Sequence, residues 1–306
     1  MTSRARRPRM RTNGSVDPLV TLTGLTADRS RVLRLPEPPG ASPSELREQL
    51  LAGSYDKPFL VEDHERRTLV FAIDGGVQSE MRLDDPVALV NEYTRKMMAF
   101  LLFCPQPRHI VMLGLGGGSL VKFCRRHLPR ARLTVVEIDA TVIALRGHFQ
   151  VPPDDELLRI VHADGAQHVA DMADSVERAD VMIVDAYDRR GLARAVASRE
   201  FLASATRVLE GGGVFVMNLA AYESDCAWML QMIRSVFGGP VMSVRTGWGG
   251  NTIAFAGGAL GDVEGLRSVP TRARQLHDEL GLNFRRLPTL VSRHLRKLQA
   301  GPVASG

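Results

Sequence analysis

The hydrophobic pattern divides this 306-residue chain into two regimes, short alternating runs first and then longer, fully apolar runs separated by segments of helical length. From Pro58 the stretch PFLVEDHERRTLVFAIDGGVQSEMRL alternates short apolar runs with polar turns. It predicts a small antiparallel sheet with strands at about 58–63, 68–73 and 77–82. DDPVALVNEYTRKMMAFLLF then predicts a helix started by Asp85 and Pro86, with Met97, Met98, Leu101 and Leu102 on its buried face. Beyond Pro107, predicted strands at 109–114, 132–137, 158–162, 180–185, 213–218, 241–245 and 252–256 enclose predicted helices at 118–128, 140–149, 165–173, 195–209 and 222–236. Strands separated by helices of this length imply a parallel sheet with helices on both faces.

The last connection breaks that rule. Only a few residues around WGG separate PVMSVRTG from NTIAFAG, far fewer than the dozen or so a parallel crossover needs, so these two strands are expected to be antiparallel neighbours. The expected fold is α/β: a seven-stranded, mostly parallel sheet with a reversed last strand, preceded by a small antiparallel β domain. That architecture resembles the Rossmann-like class I S-adenosylmethionine-dependent transferases. The expected division is a basic disordered tail or linker over 1–45, the small β domain over 46–90, the transferase domain over 91–260, and a helical, basic C-terminal tail over 261–306.

Composition changes this picture little. The formal charge of +5 is matched by five Arg (4, 6, 7, 9 and 11) in the first eleven residues, which leaves the rest of the chain about neutral and argues against a nucleic-acid partner. No apolar run reaches the ~18 residues of a membrane span, and MTSRARRPRMRT lacks the apolar region of a secretory signal. Cys104, Cys124 and Cys226 are odd in number and far apart, and the His residues are scattered. This spacing speaks for a reducing cytoplasm and against a disulfide frame or a metal site.

The chemistry concentrates at strand ends, where open α/β sheets bind ligands. In HIVMLGLGGGSLVKFC, Gly114, Gly116 and Gly118 form G-x-G-x-G between strand and helix, with Gly117 between the last two. Missing Cβ atoms let the backbone approach a ligand, and a helix N-terminus offers N–H groups; a tight packing turn would need the same glycines. LTVVEID ends the next strand on Glu137, twenty-three residues after Gly114, where a carboxylate can accept both hydroxyls of a ribose. Asp139 is expected to cap the following helix. IVHADGAQHV places Asp164 and Gly165 after the third strand; Asp164 suits either the exocyclic amine of adenine or a helix N-cap. ADVMIVDAYDRRGLA ends the fourth strand with Asp185 and Asp188 on either side of Tyr187. Such a pair can attract a cationic amine and take its proton, or it can be two solvated loop acids.

Taken together, IDGGVQSEM, NEYTRKMM, VMLGLGGGSL, VVEID, ADG and DAYD, in that order from about Phe59 to Gly257, resemble the spermidine synthase (polyamine aminopropyltransferase) family. The resemblance implies a cytoplasmic homodimer that moves an aminopropyl group from decarboxylated S-adenosylmethionine to putrescine, with no permanently bound cofactor. It also implies residue roles. Glu137 would bind the donor ribose, Asp164 and Gly165 its adenine, and Asp185 would accept the proton. Asp188 would hold the amine with Tyr187 beside it, and Tyr93 would fall where the family touches the acceptor or the donor tail.

Three departures stand out. Gly117 occupies the place of the acid in the family's G-G-G-D-G-G loop, which grips the amino group of the aminopropyl arm. Asp56 follows Tyr55 where a donor-binding Gln is expected, and Arg189 and Arg190 replace the family's P-x-G-P-A tail. Two alternatives therefore stay open: the same fold using intact S-adenosylmethionine for methyl or aminocarboxypropyl transfer, and a nucleoside-binding protein without turnover.

Overall fold

Continuous apolar runs become the strands of a central sheet because both of its faces are covered. The computed structural model describes residues 19–28, 30–38, 40–73, 75–188, 191–219, 223–247, 250–284 and 287–299. The N-terminal Arg cluster and Arg189–Arg190 lie outside them. The chain opens with five strands, β1 (Val20–Thr23), β2 (Val32–Leu35), β3 (Phe59–Glu62), β4 (Arg66–Val70) and β5 (Val77–Arg82), with helix α1 (Pro43–Leu51) between β2 and β3. They form one antiparallel meander in the order β1-β2-β3-β4-β5.

Within the described residues from Leu19 onward, this corrects the expected tail over 1–45; the first eighteen residues of that tail lie outside them. VTLT and VLRL are four-residue strands inside a Pro- and Gly-rich stretch, so composition concealed them. Pairing rescues them: Leu33 and Leu35 are fully buried with Leu46 and Leu50 of α1, Tyr55 and Phe59. Ser42 caps α1 by accepting from the Glu45 N–H, with Pro43 opening the first turn. The sheet alternates faces with period two, so Leu60, Leu69 and Met81 join the main core instead of the α1 cluster.

Two helices follow a shorter course than their sequences predict. The helix expected from Asp85 starts at Glu92 as α2 (Glu92–Met97), capped at Asn91, and tightens into a 3-10 turn over Met98–Leu102. The helix expected over 140–149 ends at Leu145.

The main body runs β6 (His109–Leu113), α3 (Ser119–His127), β7 (Arg132–Glu137), α4 (Ala140–Leu145), β8 (Leu158–His162), α5 (Gly165–Ala173) and β9 (Ala179–Val184). A two-residue ladder, β10 (Tyr187–Asp188) with β11 (Gly191–Leu192), precedes α6 (Arg199–Val208), β12 (Leu209–Leu219), α7 (Glu223–Phe237), β13 (Met242–Arg245) and β14 (Thr252–Ala256). The chain closes with α8 (Val263–Arg267), α9 (Val269–Leu280) and α10 (Leu287–Gln299).

The seven strands are ordered β13-β14-β12-β9-β6-β7-β8, all parallel except β14, which pairs antiparallel with both neighbours. Alternate residues of each strand feed the two faces: Ile110 and Met112, with Val181 and Ile183, enter one core; Val111 and Leu113, with Met182 and Val184, enter the other. Among the described residues no helix is long and apolar enough to cross a membrane, and no group of His, Cys, Asp and Glu could hold a metal ion.

Candidate active site

A cavity of about 470 Å³ opens above the carboxyl ends of β6, β7, β9 and β12, roofed by β5 of the small sheet. At the end of β6, the Gly114 N–H donates to Val136 O at 2.8 Å and φ turns to +96°. A Cβ at Gly114 would stand 2.2 Å from the Asp185 carbonyl oxygen, so only glycine lets β6 and β9 close at this point. Gly116, at φ +50°, also lines the cavity. The next helix, α3, is capped by Gly118, which has no side chain to accept from its first N–H groups.

Glu137, at the end of β7, is only 9% exposed and spans the same turn. Its Oε2 accepts from the Leu115 N–H at 2.8 Å and its Oε1 from the Asp139 N–H at 2.9 Å. Each oxygen keeps a further lone pair for a ligand. Asp139 caps α4, accepting from the Thr141 N–H at 2.7 Å. Asp164 lines the cavity and caps α5, where its Oδ1 accepts from the Gln167 N–H at 3.0 Å. Gly165 follows it against Leu113.

Asp185 sits in the cavity just beyond β9. Its Oδ1 accepts from Asn218 Nδ2 at 2.8 Å, and Tyr93 from α2 is its second side-chain partner. Burial pushes the Asp185 carboxyl above the usual carboxylate range, against the pull of those two hydrogen bonds. Burial, then the nearby Asp185 charge, drives the Tyr93 phenol well above its ordinary value, so Tyr93 is a donor here. Tyr187 lines the cavity and donates through its hydroxyl to Asn218 O at 2.9 Å; Asp188 lines it at the more exposed end.

Of the residues expected at a site, the cavity gathers Gly114, Gly116, Glu137, Asp164, Gly165, Asp185, Asp188, Tyr93 and Tyr187. Gly117 and Gly118 differ. Neither lines the cavity: a Cβ on Gly118 would meet Val151 at 2.3 Å, and one on Gly117 would meet Ser79 Oγ, itself on the cavity wall, at 2.7 Å and the Phe149 ring at 2.8 Å. The place where the resembling family carries an acid is thus filled from outside. Lys122 donates to Phe149 O at 2.8 Å and Arg67 to His148 O, which anchors that wall. Burial, with Arg67 adding to it, lowers Lys122 to about 8. Tyr55 and Asp56 stand outside the cavity lining.

The strand-end reading missed several polar residues of the lining, among them Gln78 and Ser79 from β5, Asn218 and Asn251. The signal for Asn218 existed, since it is the polar residue closing the apolar run GVFVMNL as Glu137 closes LTVVE. Asn251 immediately precedes β14, whose reversal puts its starting end at the same edge as the other strands' finishing ends.

Comparison with known proteins finds relatives both by sequence and by fold. The model of the spermine/spermidine synthase domain matches residues 90–237. A polyamine aminopropyltransferase from Chromobacterium violaceum is 34% identical over 209 residues, covering 68% of this chain and 79% of the relative. Among solved structures, spermidine synthase in complex with the transition-state analogue AdoDATO is similar at a TM-score of 0.55, with 20% identity over 78% of this chain and 87% of that one. Human methyltransferase-like protein 13 in complex with SAH is similar at a TM-score of 0.52, with 23% identity over 67% of this chain and 93% of that one. These two structural likenesses are of fold.

Proposed function

This chain belongs to the spermine/spermidine synthase family, and from that membership we propose that it moves an aminopropyl group from decarboxylated S-adenosylmethionine to a polyamine acceptor such as putrescine. The observation that carries the reading is the charge of the cavity. Glu137, Asp164, Asp185 and Asp188 line it, and no Lys, Arg or His does so among the described residues. Such a cavity suits a cationic sulfonium donor without a carboxylate, and a cationic amine.

On this reading Glu137 accepts from the ribose hydroxyls, Asp164 offers its remaining oxygen to the adenine amine, and Gly165 lets the ring lie close. Asp188 and Tyr187 hold the acceptor near Asp185. The bound ammonium first gives up a proton, which frees the nitrogen lone pair; that nitrogen attacks the methylene beside the sulfonium, the carbon–sulfur bond breaks, and sulfur leaves with the electron pair as neutral methylthioadenosine. The proton released from nitrogen goes to Asp185. Burial strengthens Asp185 as a base, and alignment of the two substrates in one cavity supplies the rest of the acceleration. A second copy of the chain and a cytoplasmic setting complete the proposal by resemblance.

The missing acid at Gly117 favours a second reading, the use of intact S-adenosylmethionine for methyl or aminocarboxypropyl transfer, because no carboxylate on the loop selects the decarboxylated arm. Calorimetry with the two donors side by side decides. Tighter binding of decarboxylated S-adenosylmethionine is expected, with aminopropylated amine as product by mass spectrometry; tighter binding of the intact donor would overturn the first reading.

Glu137→Gln tests the nucleoside half separately. An amide must turn its NH2 toward either the Leu115 or the Asp139 N–H, setting donor against donor at a buried position, at a cost of about 1–3 kcal/mol. The expected result is methylthioadenosine affinity weakened by about 10- to 100-fold. Unchanged affinity would remove Glu137 from the ribose site.

A further inference from the structure

We infer that Asn251, just before the reversed strand β14, is a positioning residue that acts through Asn218 to hold Asp185 as a carboxylate. The inference deepens the proposed function, since it rests on Asp185 as the proton acceptor. A primary amide has a donor side and an acceptor side, and both sides of Asn218 are engaged. Its Nδ2 donates to Asp185 Oδ1 at 2.8 Å, and its Oδ1 accepts from Asn251 Nδ2 at 2.7 Å. Asn218 is 1% exposed, so in the intact protein its amide is satisfied by these side chains.

The consequence follows from what a flipped amide would offer. Turned by half a revolution, Asn218 would present its carbonyl oxygen to Asp185. An ionised carboxylate is repelled by that oxygen, whereas a protonated carboxyl can donate to it. One orientation therefore favours the charged base and the other the neutral acid. In the observed arrangement Asn251 supports the first, because its NH2 faces the carbonyl side of Asn218.

Asn251 is itself held. Its backbone carbonyl accepts from the Thr246 N–H at 2.8 Å and from Thr246 Oγ1 at 3.2 Å, which closes the β13–β14 connection. In the same connection the Gly247 N–H donates to Glu92 Oε2 at 2.9 Å, one residue before Tyr93. The hairpin and α2 are thereby tied together on either side of Asp185.

The surroundings of Asp185 give the amide its leverage. Tyr93 faces it from α2, and the titratable residues that share its cavity are Tyr187 and Asp188 from the segment after β9 and Glu137 and Asp164 from the ends of β7 and β8. None of these is a cation. The charged form of Asp185 is supported by the neutral donors of Asn218 and Tyr93, so reversing one of them alters its proton affinity directly.

The test reads the Asp185 carboxyl itself, by carbon-13 titration of the full-length protein labelled at aspartate, with the resonance identified by its loss in Asp185→Asn. In Asn251→Ala, and in the isosteric Asn251→Asp should the alanine variant fold poorly, the midpoint is expected to rise by about one unit, a tenfold gain in proton affinity. The acid limb of kcat should move with it, while methylthioadenosine affinity stays within about twofold of the wild type. An unmoved or lowered midpoint in a folded variant overturns the relay. Full turnover in Asp185→Asn would instead overturn the assignment of Asp185 as proton acceptor, a failure the titration distinguishes because it needs no reaction.

Discussion

Asp185→Asn is expected to lower turnover by at least about 100-fold while leaving methylthioadenosine binding within a few-fold of the wild type. The substitution is nearly isosteric. The carbonyl oxygen of the introduced amide can still accept from Asn218 Nδ2, so the local packing survives and the loss falls on proton transfer. An aliphatic ammonium has no lone pair and must shed a proton before the carbon–nitrogen bond can form, and the raised proton affinity of Asp185 suits it to take that proton. The wild-type pH dependence carries the sign of the same group. Burial raises Asp185, so the base form is lost at a higher pH than for an ordinary aspartate of about 3.9. Turnover should fall as pH drops through that raised value, and the limb should be absent from any residual activity of Asp185→Asn. Stopped-time assays across pH, with product identified by mass spectrometry, check both points. A variant with the wild-type rate would end the general-base assignment.

The largest effect on folding and binding together is expected from Gly114→Ala. Two costs coincide there: a φ of +96° that residues with a side chain rarely adopt, and a Cβ placed 2.2 Å from the Asp185 carbonyl oxygen. Backbone strain and forced separation of the two strands each cost about 1–3 kcal/mol. At ~2–4 °C per kcal/mol for a domain of this size, the melting temperature should fall by roughly 4–24 °C. Nucleoside affinity should fall at least about tenfold, because separating β6 from β9 displaces the Leu115 N–H from Glu137 at the same time. Gly165→Ala is the internal control for stability. Its Cβ would meet only Leu113, at an ordinary 3.4 Å, so its melting temperature should stay near the wild type. Calorimetric unfolding of the two variants separates a turn that requires glycine from a glycine that merely sits near a ligand. A wild-type melting temperature in Gly114→Ala would show that the strands can part there without cost.

Much of this architecture was legible because each parallel strand announces itself locally. An apolar run followed by glycine or an acid marks both a strand and its end, and a parallel sheet brings those ends to one edge. Glu137, Asp164 and Asp185 could therefore be assigned to one site from separate stretches of chain. The brief connection between β13 and β14 likewise dictated antiparallel pairing by its length. Where local pattern was weak, the reading erred: β1 and β2 are too short to stand out from their Pro- and Gly-rich flanks, and exist because neighbouring strands pair with them.

The positions of the main-sheet strands along the chain and the residues at their ends were thus determined by the sequence itself, since periodicity and turn chemistry act over a few residues. Which atoms meet across those ends was decided only by the tertiary structure. Asn218 reaches Asp185 and Asn251 across 33 residues in each direction, and Phe149 with Ser79 fills the space beside Gly117 from two distant elements. Such contacts depend on how the sheet closes and how its layers pack. That is a collective outcome of the whole core, which no single stretch of sequence encodes.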